Sequence, residues 1–250
     1  MTLPHETIID GNQAKSFMEH LEDLRGTIIF SVLWLAVGML VCIPFAPRIF
    51  SQLKQPLSRA GQNPETFLTI FSVSGGFGVA ARIIFWSGLI VSLPFILLLI
   101  GRFVMPAMTA LEKRMARRAA AAGFLLFFCG TALAYLMMPL VLGMMLRVNV
   151  WLGAPSVMWD AGLYVAFVLK MMLVFGLAFE FPVIVFLLVA AELLTVDQLR
   201  LWRRHAIVAI SLVAMLVTPQ DPYTMVLLAV PLVLLYEGCI ICCERLQAGD

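Results

Sequence analysis

Six long apolar runs separated by short polar breaks dominate this chain. They extend roughly over residues 27–46, 78–101, 119–143, 162–191, 204–218 and 223–243. A bilayer with hydrocarbon about 30 Å thick needs about 20 apolar residues for each helical crossing, whereas a soluble core does not. Because lipid offers no water to an open backbone, each run is predicted to be a helix. The pattern therefore predicts an all-α membrane protein with six transmembrane helices.

The basic residues predict which way these helices face. Eleven Lys and Arg lie on the side of the two termini and four lie on the other side. The eleven are Lys15, Arg25, Arg102, Lys113, Arg114, Arg117, Arg118, Arg200, Arg203, Arg204 and Arg245, and the four are Arg48, Lys54, Arg59 and Arg147. Lys and Arg accumulate in cytoplasmic loops, so both termini are predicted to be cytoplasmic.

Composition agrees with one polytopic membrane domain over residues 1–250 and excludes several functions. Hydrophobic residues make up 62% of the chain and charged residues 13%, and a net charge of +2 is too small to suggest nucleic-acid binding. Signatures of hydrolases and of phosphate-binding loops are absent. The cluster Cys239-Ile-Ile-Cys242-Cys243 lacks partner ligands at metal spacing. We therefore predict no catalytic activity, no metal and no cofactor.

The segments outside the runs differ in kind. Residues 15–26 are predicted to form an amphipathic helix ahead of the first run. Residues 47–77 contain too many Pro and Gly for one helix, and part of this loop is predicted to cap the membrane surface. The fifth run offers about 14 residues, or ~21 Å of helix, which is shorter than the hydrocarbon. The last two helices are therefore predicted to be short.

Acidic residues in two predicted cytoplasmic segments invite a specific role. Apolar residues share one face of the stretch 17–25, and Glu19, Glu22 and Asp23 surround the other. This stretch is either a solvated surface helix or an acidic patch for a basic cytoplasmic ligand. Glu112 is the single acid in a basic loop, which is either an ordinary cytoplasmic loop or a second acidic contact.

Three charged residues lie inside the apolar runs. Glu180 and Lys170 belong to the fourth run and Glu237 to the sixth. A charge at this depth is costly, so it marks a functional site by default. The alternative is an internal salt bridge, or a protonated Glu that hydrogen-bonds between helices. Lys170 and Glu180 are ~15 Å apart along one helix, too far to pair, and Lys170 is expected to extend toward the outer surface.

Several short motifs follow one another along the chain. They are His20-Leu21-x-x-Leu24-Arg25, Pro106-Ala107-x-x-x-x-Glu112-Lys113-Arg114, Phe179-Glu180-x-Pro182, Thr218-Pro219-x-Asp221, Leu228-Ala229-x-Pro231 and Leu235-Tyr236-Glu237. Taken in this order, they resemble the TatC family, the multi-spanning subunit of the twin-arginine protein translocase. Each string is weak alone, but all of them at these spacings make a specific match. Two positions depart from the family pattern: Asp23 stands where Glu is usual, and Met225 where Gln is common.

The resemblance implies a receptor core that binds paired-arginine signal peptides and moves folded proteins across the bacterial cytoplasmic (inner) membrane, using the proton gradient. The implied signal-peptide site comprises Glu19, Glu22, Asp23, Arg25, Phe103 and Glu112. The implied polar groove contains Glu180, Glu237 and Lys170, and Pro182 is expected to bend the fourth helix and open this concave groove. The implied docking residues for the single-span subunits TatA and TatB are Thr218, Asp221, Thr224 and Met225. Homo- and hetero-oligomers surrounded by membrane lipid are expected.

Two other classes of function stay open at this point. A proton- or ion-coupled secondary transporter of small solutes would use Glu180, Asp221 and Glu237 as carriers. Inverted repeats would support that class, and the sequence contains none. The third class is a purely structural membrane scaffold, which signal-peptide binding would exclude.

Overall fold

The computed structural model describes residues 17–104, 110–154, 158–190, 194–217 and 222–247, and most of these are helical. The helices are α1 (Phe17–Cys42), α2 (Ala46–Arg59), α3 (Pro64–Phe67), α4 (Gly75–Val104), α5 (Ala110–Trp151), α6 (Ala161–Ala190), α7 (Val196–Leu201), α8 (Arg203–Val217) and α9 (Pro222–Gln247). Two short strands, β1 (Leu68–Thr69) and β2 (Trp159–Asp160), pair in parallel.

Four helices are long and apolar enough to cross a membrane. Their apolar parts are Leu21–Cys42, Gly75–Gly101, Ala119–Trp151 and Ala161–Val189. The third extends eight residues beyond the predicted run, because no residue stops it before Gly153, whose φ of 75° ends the helix. Helix α8 has 15 residues, and the apolar part of α9 is Ala229–Ile241. These apolar stretches are shorter than those of the other four, so the count of six spans stays a prediction. Helix α8 is short as the sequence predicted, whereas α9 has 26 residues, as many as α1, so the prediction of a short last helix is wrong.

The amphipathic stretch and the first apolar run form one continuous helix. Helix α1 begins at Phe17 and continues without interruption to Cys42. No proline interrupts it, and the Thr27 hydroxyl donates to the Asp23 carbonyl at 2.9 Å, within the helix. The acids that precede the apolar run are therefore rigidly connected to it.

Contacts between α1, α4 and α5 fix the relative directions of these helices. The Trp34 ring of α1 stacks on Phe95 of α4 with centroids 4.7 Å apart, and Phe95 meets Phe124 of α5 edge-on at 5.9 Å. Gly38 of α1 lies against Gly88 of α4 so closely that a Cβ on Gly38 would lie 2.6 Å from the Gly88 carbonyl oxygen. As residue numbers rise along α1, the contacted numbers fall along α4. These two helices are therefore antiparallel.

Glycines bring α5 and α6 into close contact. A Cβ on Gly130 would lie 2.6 Å from the Phe175 carbonyl oxygen, and one on Gly176 would lie 2.7 Å from the Phe127 ring. Lipid supplies no hydrophobic force between helices, so close approach at small residues is the main source of attraction. Fully buried Phe127, Leu142, Val165 and Val168 continue this contact into the main core.

Helix α2 caps the bundle through two tyrosine hydroxyls. Pro56 lies inside α2 and has no N–H, so the Gln52 carbonyl has no helical donor. The Tyr135 hydroxyl of α5 donates to that carbonyl at 2.9 Å, and the Tyr164 hydroxyl of α6 donates to the Leu53 carbonyl at 2.6 Å. We call this end of the bundle the cap end, and the opposite end, where α1 and α5 begin, the far end.

The hydrogen bond from the Tyr135 hydroxyl to the Gln52 carbonyl should contribute to the stability of the fold. Tyr135→Phe is expected to cost about 1 kcal/mol, because the Gln52 carbonyl loses its donor. Thermal unfolding of the purified chain in detergent measures the effect. In a Pro56→Ala background the helix regains a donor for Gln52, so Tyr135→Phe should cost clearly less. An equal cost in both backgrounds would show that this hydrogen bond is not the cause.

A small sheet joins two connections at the cap end. Leu68 pairs with Trp159 and Thr69 with Asp160, and the Phe67 ring meets Trp159 edge-on at 5.1 Å. The sheet links the segment before α4 to the segment before α6. Strands of two residues leave no periodic signal, so the sequence did not indicate them.

Candidate functional site

The acids of the proposed signal-peptide site lie at the far end of the bundle. Asp23 lies 11 residues before Trp34, and Glu112 lies 12 residues before Phe124, which corresponds to ~17 and ~18 Å of helix. Trp34 and Phe124 both contact Phe95 and so lie at a similar level. Both α1 and α5 lead from that level to the cap, so they run in the same direction. The backbones of Asp23 and Glu112 are therefore on the same side of the bundle.

The side chains of this group are described only in part. Glu22, Asp23 and Arg25 are exposed. Glu19, Phe103 and Glu112 lie within α1, α4 and α5, but their side chains lie outside the described part of the structure. The structure therefore places the backbones of this group at one end of the bundle.

Glu180 lies at the contact between α5 and α6. Its side chain is half-buried, and a Cβ on Gly123 would lie 2.6 Å from the Glu180 Oε2 atom. Among the described residues its carboxylate has no hydrogen-bond or ion-pair partner. Glu180 precedes the end of α6 at Ala190 by ten residues, or ~15 Å, so it belongs to the half of the bundle nearer the far end. An unpaired carboxylate at this depth keeps Glu180 a functional candidate.

Glu237 differs from Glu180 because it has an ion-pair partner. Its Oε2 lies 2.9 Å from Nη2 of Arg203, at the start of α8. Two turns further along α9, Glu244 Oε1 accepts from Nε and Nη2 of Arg200 at 2.9 and 2.6 Å. These contacts support the internal salt bridge that the sequence left open for Glu237. Arg203 and Glu237 are 34 residues apart in the chain, so no local pattern in the sequence indicated this ion pair.

A buried hydroxyl adds to the attachment of α9. The Tyr236 hydroxyl donates to the Leu199 carbonyl of α7 at 2.8 Å. Thr195 and Gln198 form a capping box that starts α7, which holds Leu199 in place. Helices α7, α8 and α9 are thus joined by polar contacts at the far end.

Lys170 lies on the exposed face of α6. Its Nζ atom is 5.3 Å from the centre of the Trp86 ring of α4, a cation–π distance. This contact offsets part of the cost of placing an ammonium group among apolar neighbours. Lys170 does not approach Glu180, since ~15 Å of helix separates them.

The proposed docking residues are only partly within the described structure. Met225 is half-buried and packs against the main core. Thr218 and Asp221 lie outside the described residues, and so does the side chain of Thr224. Nearby, α8 exposes the apolar residues Ile207, Val208, Leu212 and Met215.

The family model described as Sec-independent protein translocase protein (TatC) matches residues 19–231. The chain belongs to the TatC family. A crystal structure of a twin-arginine translocase receptor, TatC, in the detergent DDM superimposes with a TM-score of 0.79 at 32% identity. It covers 89% of this chain and 98% of its own. The family resemblance seen in the short motifs is therefore confirmed.

TatC proteins of several bacteria match most of this chain. The Aquifex aeolicus protein is 33% identical over 88% of this chain and 90% of its own length. The Frankia casuarinae protein is 33% identical over 89% of this chain, which spans only 64% of that longer relative. All are named Sec-independent protein translocase proteins, a transport function rather than a catalytic one. With four apolar helices, the chain is a multi-pass membrane member of this translocase family.

Proposed function

We propose that this chain is the signal-peptide receptor core of the twin-arginine translocase. It binds paired-arginine signal peptides of folded precursor proteins, which cross the bacterial cytoplasmic membrane at the expense of the proton gradient. Membership of the TatC family carries this proposal. The common end of Asp23 and Glu112 supports it, because a single peptide has to reach both segments.

Carboxylates at two separate segments suit a pair of adjacent arginines. Neighbouring side chains of an extended peptide diverge, so each guanidinium needs its own acidic partner. Asp23 with Glu19 and Glu22 provides one partner and Glu112 the other. A carboxylate accepts two parallel hydrogen bonds from a guanidinium but meets an ammonium only as a point charge. The site therefore discriminates Arg from Lys.

Glu180 forms the second part of the proposed path. The groove that contains it receives the inserted signal peptide or a partner helix, with the carboxylate as the polar contact. Its lack of a partner within the described residues supports this role. Glu237 and Lys170 belong to the same membrane-embedded polar set, with Arg203 and Trp86 as their neighbours.

The proposed topology has six spans with both termini in the cytoplasm, so that the far end is cytoplasmic. Helix α8 measures ~22 Å, and the bilayer thins around it. TatA and TatB dock on the exposed apolar face of α8 and near Thr218, Asp221, Thr224 and Met225, forming hetero-oligomers. The exposed apolar surface of α8 supports this assignment.

Binding of a signal peptide to the purified chain tests the proposal. Glu112→Gln should weaken binding of a twin-arginine peptide roughly tenfold or more, since a hydrogen bond to a charged group contributes ~1.5–3 kcal/mol. A twin-lysine peptide should bind weakly to the unsubstituted chain and change little with Glu112→Gln. Asp197→Asn, which alters an exposed acid of α7, is the matched control and should leave binding unchanged. Equal binding of both peptides to the unsubstituted chain would refute bidentate recognition.

A further inference from the structure

A pocket of about 470 Å³ lies beneath α2 at the cap end. Apolar side chains from four helices line it, including Val41, Ile90, Val91, Leu169 and Met172. Leu169 precedes Glu180 by 11 residues, or ~17 Å of helix, so the pocket is separate from the contact at Glu180. Val41 and Val91 are also exposed on the surface of the bundle, so the pocket opens toward the surrounding lipid.

An arginine lies at the rim of this pocket. Arg48 is exposed in the first turn of α2 and lines the pocket. Within the described part of the chain its guanidinium has no hydrogen bond or ion pair, whereas Lys54 of the same helix binds Glu65 at 2.8 Å. Arg48 follows the end of α1 at Cys42 by six residues, where the apolar span gives way to the headgroup level. A guanidinium there matches the charge and the geometry of a phosphate.

We propose that this pocket holds an acyl chain of an anionic phospholipid whose phosphate binds Arg48. Apolar walls and a cation at headgroup level provide both parts of such a site. The pocket thus ties one lipid of the cap-side leaflet to the contact between α2 and the bundle.

Retention of lipid by the full-length chain in native mass spectrometry tests the headgroup contact. The probes are palmitoyl-oleoyl phosphatidylglycerol and phosphatidylcholine, each added at the same concentration to the delipidated chain. We expect the unsubstituted chain to retain several-fold more phosphatidylglycerol than phosphatidylcholine. Arg48→Gln should reduce the retention of phosphatidylglycerol to that of phosphatidylcholine. Arg147→Gln removes an exposed cation ~18 Å along α5 from Tyr135 and should change nothing. Equal retention of phosphatidylglycerol by Arg48→Gln and Arg147→Gln would overturn the proposal.

Filling the pocket tests the acyl-chain contact separately. Val91→Trp should reduce retention of both lipids several-fold, because the indole takes the space of the chain. Leu98→Trp is the matched control, since Leu98 is similarly exposed, lies two turns further along α4 and does not line the pocket. The unfolding temperatures of both variants show whether they are folded. The proposal would be overturned if Val91→Trp stayed folded and retained both lipids as the unsubstituted chain does. A disulfide between Val91→Cys and a single-span partner chain would also overturn it.

Discussion

Gly130→Ala is expected to destabilise the chain by about 1–3 kcal/mol, the usual cost of an extra methyl group in a packed interior. The new Cβ would lie 2.6 Å from the Phe175 carbonyl oxygen and 2.7 Å from the Phe179 ring. A backbone oxygen within α6 cannot rotate away as a flexible side chain can, so the two helices must separate. The loss of stability is measured by thermal unfolding in detergent, with the fraction of folded monomer recorded at each temperature.

Gly143→Ala on the same helix is the matched control for this effect. A Cβ on Gly143 would have no neighbour within 4 Å. Alanine favours a helix over glycine by about 1 kcal/mol, so this variant should be unchanged or slightly more stable. Opposite signs for the two variants would attribute the loss to the α5–α6 contact. If both variants became more stable, helix propensity rather than packing would control stability.

The lengths of the helices could be read from the sequence because the bilayer imposes them. Helices α4 and α6 begin and end within three residues of the predicted runs, since charged residues and glycines bound those runs. Helix α2 was not anticipated, because Pro56 disfavours a helix by removing a donor. The Tyr135 hydroxyl compensates for that loss by donating to the Gln52 carbonyl from 83 residues away, a contact that no local pattern reveals.

The residues of the candidate site were easier to find than their surroundings. Glu180 and Glu237 were both evident as charges in apolar runs, because such charges are costly there. Only the structure separates them, since Arg203 pairs with Glu237 while Glu180 lies against Gly123. Glycine at position 123 is an unremarkable residue in the sequence, although it provides the space for the Glu180 carboxylate.

Glu180→Ala is expected to lower transport of a paired-arginine reporter protein more than tenfold while the chain stays folded. Removing the carboxylate takes away the polar contact proposed for the inserted peptide or partner helix. It leaves no unpaired group behind, because the described residues provide Glu180 with no partner. Transport into inverted membrane vesicles, normalised to the amount of folded chain, measures the effect. Full transport by Glu180→Ala would end this role for Glu180.

Gly123→Ala tests the position of the same carboxylate without removing it. Its Cβ would meet Glu180 Oε2 at 2.6 Å, and the end of a flexible side chain can move aside at little cost. Stability should therefore change less than in Gly130→Ala, while transport falls to a value between those of Glu180→Ala and the unsubstituted chain. Gly143→Ala should transport normally. A result in which Gly123→Ala loses as much folded protein as Gly130→Ala does would contradict the prediction, because the variant would then act through helix packing and not through the position of the carboxylate.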